Sequence, residues 1–398
     1  MAEEEENPEY GKITDEALQR LQNRIGKTFP IEYPFLRYVN QDSITHVARG
    51  IGDDNPLFID PDYAKNTRHG KLLAPPAIFY ALGWGSWDLR RGQGLPGVHG
   101  LHSGDHWWYY RPVGEGDELY ATKTLIKAER MEGRFAGKNM AIQMDEICFY
   151  NQNDELVAKE HWPVIRAERS SAKETGKYSD IELATYTQEE IDQIDQELKS
   201  EIPRGAEPRY WENVEIGEPI DPPAVKGPLT LPDMVTWLMG IGSPHVRSGK
   251  YWQQYRETSP KVAVIDPKTG IPQAVERVHW DEWMAAEIGM PSAYDYGAQR
   301  GGYATYFATN WVGDDGWVAE LDFQFRGMFF QGDVFRMNGE IVDKWRGAKT
   351  GTGYVSMKFS SINNRGDDIM PGTGIFALPS EENGPVQFPV DVEEDGRA

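Results

Sequence analysis

Basic residues are scarce in this chain: 41 Lys and Arg stand against 63 Asp and Glu, a formal charge of −22 at pH 7 over 398 residues. Such a surface repels phosphate backbones and anionic headgroups, which sets nucleic acid and membrane aside as expected partners. Cysteine is nearly absent. Cys148 stands alone, so no intrachain disulfide can form and the chain suits a reducing compartment. With no histidine motif beside it, Cys148 reads as a small buried side chain in a strand rather than a nucleophile. No apolar run approaches the roughly 20 residues that cross a bilayer. Residues 1–10 carry four consecutive glutamates (Glu3 to Glu6) and lack the basic and apolar succession of a secretory signal. A cytoplasmic location is the simplest expectation.

What the chain does have is apolar surface: 39% hydrophobic residues and 13 tryptophans describe a folded globular protein, and its length suits two domains. The expected division is an acidic segment at 1–29, a first domain at 30–169, a charged helical linker at 170–206, a second domain at 207–380 and an acidic tail at 381–398, with only the ends loose. A helix is predicted over 42–51 and an apolar central helix over 77–89, started by Pro75-Pro76. Strands follow at 106–111, 118–127, 139–150 and 156–166, separated by Gly/Asp and Asn/Asp turn clusters. Residues 94–104, glycine-rich without a phosphate-loop lysine, read as a loop. The linker carries one solvated helix over 188–198. Helices at 231–240 and 297–311 and strands at 317–326, 334–344 and 353–360 then repeat the order.

The repeat extends to single residues. Val278-His279-Trp280-Asp281-Glu282-Trp283-Met284-Ala285 echoes Leu57-Phe58-Ile59-Asp60-Pro61-Asp62-Tyr63-Ala64. Setting Phe58 on His279 also sets Asp60 on Asp281, Ala64 on Ala285 and Pro75-Pro76 on Tyr296-Gly297 without a gap. Only the first copy follows a polar loop with a carboxylate, Gly52-Asp53-Asp54-Asn55-Pro56, and only the second has the histidine. The parts of one catalytic motif are divided between two halves.

These features resemble the MaoC-like dehydratases, in particular the FAS1-like dehydratase group related to R-specific enoyl-CoA hydratases. The family motif, Gly-Asp-x-Asn-Pro-x-His-x-Asp, is met at Gly52, Asp53, Asn55, Pro56 and Asp60, with Phe58 replacing the histidine. Its end is met at His279, Asp281 and Ala285, while Glu276-Arg277 stand in place of Asn-Pro and Ala274 in place of the acid. Gly100-Leu101-His102-Ser103-Gly104-Asp105, Tyr110-Arg111-Pro112-Val113 and the strand Leu321 to Gly327 carry further likeness. The resemblance implies an α+β double hot-dog fold: two tandem units, each an antiparallel sheet wrapped around a central helix. Paired sheet edges would then protect one another.

It also implies addition of water to a 2-enoyl thioester, held by CoA or a carrier protein, or the reverse dehydration, with no metal or redox cofactor. A carboxylate and an imidazole sharing one water can move its protons. His279 is the expected acid/base group, with Asp53 or Glu276 as its carboxylate. Asp53 competes with a plain turn-holding role. An extended backbone would point Glu276 away from His279. Gly297, at a helix N-terminus, would offer its N–H to the thioester oxygen, and Tyr296, in place of the family's usual histidine, and Asn55 complete the expected substrate-binding set. His102 and His106, beside Trp107-Trp108-Tyr109-Tyr110, read as strand packing because further metal ligands are missing, and His69-Gly70-Lys71 as a solvated loop. The insertion at 245–276 reads as a surface excursion packed by Tyr251, Trp252 and Tyr255. A sharper alternative is that it shapes the site for a bulky or ring-bearing acyl group. The competing function is a noncatalytic acyl-thioester-binding protein or partner subunit with a degenerate motif. Association of copies through remaining sheet edges is open to such a fold.

Overall fold

The computed structural model describes residues 11–84, 95, 97–133, 137–168, 178, 181–259 and 262–398. Polar caps start its helices. Thr14 accepts the Ala17 N–H ahead of α1 (Asp15–Gln22), and Asn40 and Ser43 form a reciprocal capping box at α2 (Gln41–Gly50). Asn55 and Asp60, each followed by proline, cap the short helices α3 (Pro56–Ile59) and α4 (Pro61–Lys65). A 3₁₀ turn at Pro76–Ile78 runs into α5 (Phe79–Leu82). Later come α6 (Gln188–Ser200), α7 (Leu231–Ile241), α8 (Gly249–Thr258), α9 (Glu282–Glu287) and α10 (Gly297–Val312).

Among the described residues, eleven strands form one sheet. The first half supplies β1 (Thr28–Pro30), β2 (His99–His102), β3 (Gly104–Tyr109), β4 (Leu119–Gly133), β5 (Gly137–Asn151) and β6 (Leu156–Ala167). The second supplies β7 (Ala224–Lys226) and, after a separate hairpin of β8 (Ala263–Ile265) with β9 (Pro272–Ala274), the strands β10 (Trp317–Gln324), β11 (Phe335–Arg346), β12 (Gly353–Asn363) and β13 (Gly372–Leu378). Their order is β1-β4-β5-β6-β3-β10-β13-β12-β11-β7, with β2 paired to β6. The order reads the same from either end, and the halves join at antiparallel β3 and β10, where Trp107 opposes Leu321 and Asp105 opposes Phe323. This is the double hot-dog arrangement, with the two inner edges closed against each other.

One apolar core spans both halves. Nearly every residue of α10 is buried, the pattern of a helix enclosed by its own sheet. Three of its glycines let the first half come close. A Cβ at Gly301 would fall 2.0 Å from the Tyr80 hydroxyl oxygen, one at Gly302 2.6 Å from Ile51 Cγ2, and one at Gly297 2.9 Å from His102 Nδ1. Helices α2 and α7 cross with equal intimacy, Gly50 against Trp237 and Gly240 against Val47.

Several expectations need correction. The central helix of the first half begins as a 3₁₀ turn and continues as α5 only to Leu82, while positions 85–89 of the predicted helix lie outside the described residues. The stretch read as a loop contains β2, which hydrogen-bonds to β6. The ends are not loose where described. Leu18 and Leu21 of α1 pack with Leu95 and Val98, and β1 extends the sheet. In the tail Val386 and Val390 are buried, and Asp395 accepts the N–H groups of Lys349 and Thr350 at 2.9 Å each. Strand β13 carried too little alternation around its glycines to be recognised. Cys148 lies in β5 but only half-buried.

Candidate active site

His279 ends a 3₁₀ turn, Val275–His279. Asp281 then caps α9 by accepting the Trp283 N–H at 3.0 Å and pairs with Arg277. The His279 ring lies 4.0 Å, centroid to centroid, from that of Tyr296, and its Nδ1 is 2.8 Å from the carbonyl oxygen of Tyr294. A carbonyl can only accept, so Nδ1 carries the hydrogen and Nε2 keeps its lone pair. Burial pushes the imidazole down to about 4, against weaker support from the Tyr294 and Asp295 backbone. The ring is therefore neutral near pH 7 and presents a base.

Glu276 shares that turn. A 3₁₀ helix has about three residues per turn, so positions i and i+3 eclipse, and Glu276 shares the face of His279. The expectation that it points away assumed an extended chain and is corrected here. The carboxylate is buried; Ser243 Oγ donates to Oε2 at 2.7 Å and the Tyr296 hydroxyl makes a further hydrogen bond. The Trp280 indole N–H donates to that hydroxyl at 2.9 Å. Tyr296 thus holds the carboxylate with its hydroxyl and the imidazole with its ring. Burial and Glu276 keep the phenol well above its usual range, so it stays a donor.

Ser243 explains how the carboxylate came there. Gly240-Ile241-Gly242-Ser243 leaves α7 as Gly50-Ile51-Gly52-Asp53 leaves α2, which puts Ser243 in the structural place of Asp53. The insertion then runs out through α8 and the β8–β9 hairpin and brings Glu276 back onto Ser243.

At the start of α10, Asp295 and Arg300 form a buried two-pronged ion pair at 2.6 and 2.8 Å, and Arg300 also donates to the Gly327 carbonyl at 2.8 Å. This fixes the Tyr294-Asp295-Tyr296 corner that receives His279. Tyr296 gives the helix no side-chain cap, so it does not occupy the first-turn N–H groups. Against Gly297 lies His102 of the first half, its Nε2 2.5 Å from Asp105 Oδ1, while Tyr80 donates to Oδ2 at 2.6 Å. His106, by contrast, stacks on Trp108 at 3.7 Å and meets Glu320 at 2.7 Å, a packing role as expected.

Comparison with known proteins agrees with this architecture. A family model for the FAS1-like, dehydratase domain region matches residues 25–160. A UPF0336 protein of Parafrankia sp. is 32% identical over 141 residues, 35% of this chain and 88% of that one. The chain belongs to the FAS1-like dehydratase family. Two solved structures resemble it in fold along nearly the whole length. A MaoC-like dehydratase has a TM-score of 0.61 at 17% identity, covering 91% of this chain and 100% of its own. A Mycobacterium tuberculosis protein described as having a double hotdog fold has a TM-score of 0.53 at 11% identity, covering 92% and 98%.

In this member of the dehydratase family, His279, Glu276, Tyr296 and Gly297 come together, whereas Asp53 and Asn55 lie elsewhere. Asp53 is buried, accepts the Asn55 N–H at 3.0 Å and faces Lys226 of β7, whose ammonium sits 3.4 Å from the centroid of the Tyr306 ring. Burial raises Asp53 and lowers Lys226. Among the described residues no hydrogen bond or ion pair joins Asp53 to His279. Asn55 accepts the Leu57 N–H at 3.0 Å and, with Phe58, His69, Phe79 and Asp314, borders a mostly apolar cavity. His69 is not simply solvated, since its Nε2 lies 3.1 Å from the Asp314 carbonyl. Sequence reasoning missed Ser243 because it counted five residues back from His279 and reached Ala274; the Gly-Ile-Gly echo after the two helices carried the signal. It set His102 aside with His106, although Asp105 follows at an interval that a sharp turn closes. Among the described residues, no helix is long and apolar enough to cross a membrane, and no three His, Cys, Asp or Glu side chains are grouped to hold a metal.

Proposed function

We propose that this protein adds water across the double bond of a 2-enoyl thioester of CoA or a carrier protein, or removes it in the reverse direction. The observation that carries the reading is the Glu276–Tyr296–His279 cluster beside the start of α10. Its neutral imidazole and carboxylate would hold one water between them. As the water oxygen bonds to the β-carbon, the pair takes its proton, and the double-bond electrons move toward the thioester oxygen. The Gly297 N–H, at the positive end of a 16-residue helix, opposes the charge growing there. A proton returned to the α-carbon completes the addition, with no change of oxidation state. Glu276 is preferred to Asp53 as the partner because it shares the turn and the Tyr296 contact with His279.

Two features support a bulky acyl group. A groove of about 750 Å³ lined by Tyr33, Phe35, Tyr38, Leu238 and Val246 reaches Ser243, the partner of Glu276. Across the inserted segment Tyr255 is buried, its hydroxyl 3.2 Å from His245 Nδ1. The test is a panel of linear and ring-bearing 2-enoyl-CoA thioesters, read by the mass gain of one water. Hydration that favours the larger groups is expected. Equal or better turnover of crotonyl-CoA sinks the bulky-acyl reading, and no hydration of any thioester sinks the enzymatic one in favour of a noncatalytic thioester-binding protein.

A further inference from the structure

The second imidazole at the α10 start is built like a working group. Asp105 is fully committed to orienting it: Oδ1 meets His102 Nε2 at 2.5 Å and Oδ2 accepts the Tyr80 hydroxyl at 2.6 Å, a hydroxyl that itself accepts the Trp107 indole N–H at 3.3 Å. Glu160 of β6 makes one more hydrogen bond to Asp105, and burial beside that carboxylate holds Glu160 well above the usual range, so it is the protonated donor of the two. These contacts fix His102 Nε2 and leave the other nitrogen unused: Nδ1 is buried with no hydrogen-bond partner among the described residues. The rings of Phe325 and Trp162 wall the imidazole at 5.1 and 6.0 Å. Ahead of Nδ1 lies Gly297, where even a Cβ would come within 2.9 Å. A buried polar nitrogen without a partner costs stability, and here it packs against Gly297, the first residue of the helix whose N–H the hydratase reading assigns to the thioester oxygen.

We propose that His102, oriented by Asp105, is a second catalytic imidazole of this site, contributed by the first half of the chain, which hydrogen-bonds through Nδ1–H to the oxygen of a bound thioester. The role rests on the proposed thioester chemistry. As the double-bond electrons shift, the thioester carbonyl becomes an enolate, and its oxygen strengthens the bond it accepts from Nδ1–H. His102 only donates this hydrogen bond, and no proton passes from it to the oxygen. His279 and Glu276 handle the water on one side of Tyr296-Gly297, and His102 the oxygen on the other.

Two variants of the full-length protein and two readouts test this. His102→Ala is expected to lower kcat about 100-fold with KM changed less than about threefold, the signature of a donor to a developing oxyanion. His102→Asn places an amide nitrogen near the former Nδ1 and is expected to recover at least about tenfold of that loss, which a merely structural histidine would not predict. Independently of turnover, octanoyl-CoA labelled with carbon-13 at its thioester carbonyl is bound to the protein and its C=O stretch recorded by difference infrared spectroscopy. The band is expected at lower frequency on the unmodified protein than in water, moving back in His102→Ala. If enoyl thioesters are hydrated but neither kcat nor the band responds to His102→Ala, the proposal is overturned and the hydratase reading stands. If nothing is hydrated yet the band shift depends on His102, the hydratase reading falls and the thioester contact stands. Failure of octanoyl-CoA to show any shifted band on the unmodified protein overturns the contact itself.

Discussion

The two copies of the repeated motif keep the same frame, and in the proposed function only the second carries the chemistry. Asp60 and Asp281 both cap a short helix, each accepting the backbone N–H two residues on at 3.0 Å, and Ala64 and Ala285 are both fully buried beneath those helices. Between cap and core the copies part. Phe58 is 3% exposed at a mostly apolar cavity, whereas His279 occupies a polar corner with its Nδ1 on a carbonyl and a carboxylate one 3₁₀ turn away. After the preceding helices, Asp53 stays and is drawn toward Lys226, while Ser243 stands in its place and receives Glu276. The difference teaches that the motif's terminal aspartate and alanine belong to the fold, and that the copies differ at the imidazole and carboxylate on which the proposed chemistry rests. Family likeness detected in residues 25–160 therefore reports the half whose motif has lost its histidine.

This contrast breaks most visibly at His279. Its replacement by alanine is expected to lower hydration of the best enoyl thioester about 10³-fold, and Glu276→Gln about 100-fold, within the range of general acid–base groups. Asp53→Asn is expected to stay within about threefold, because its neighbours are structural. An Asp53→Asn loss as large as that of Glu276→Gln, measured in the same assay, would show both halves supplying the carboxylate. Ser243→Ala sharpens the point. It removes a donor from a buried carboxylate, an interaction worth roughly 1.5–3 kcal/mol for a charged partner, and is expected to cost about tenfold in kcat. Phe58→Ala reverses the pattern: turnover is retained while unfolding in urea shows a loss of about 3–4 kcal/mol from the emptied core position. A Phe58 variant that lost activity without losing stability would make the first copy a second functional site.

The fold was legible because the repeat was. One ungapped offset set Asp60 on Asp281 and Tyr296-Gly297 on Pro75-Pro76, and the twice-repeated helix-then-strand order, with the family resemblance, pointed to two hot-dog units whose sheets can pair edge to edge. What escaped was local and three-dimensional. Glu276 looked misplaced because nothing in Val275-Glu276-Arg277-Val278-His279 announces a 3₁₀ turn, in which i and i+3 share a face. Ser243 was hidden by the insertion that separates it from its own motif. The role of His102 depends on Gly297, far away in sequence, and spacing along one chain cannot display a contact made by a missing side chain. The described parts of both terminal segments, read as loose, are held by particular partners such as Thr350 and Glu168, which accepts the Ile13 N–H at 2.8 Å.

The smallest expected difference between the copies is in proton linkage. Phenylalanine at position 58 does not titrate, whereas folded His279 binds its proton only near pH 4 against an ordinary value of 6.5. Between those values the unfolded chain holds a proton that the native imidazole refuses, so acidification through this window favours unfolding, and below it the penalty is complete. Each pH unit is worth at most about 1.4 kcal/mol, and less here because His279 is only partly shielded from water. A His279→Gln protein lacks this linkage, while its remaining titrating groups are those of the unmodified chain. Its melting temperature is expected to fall less steeply between about pH 7 and about pH 4.5, so that the two melting curves converge or cross on acidification. Parallel curves across that window would mean that His279 binds protons alike in both states, that it is far more open to water than its place under Tyr296 implies, and that its Nε2 is not held as a neutral base.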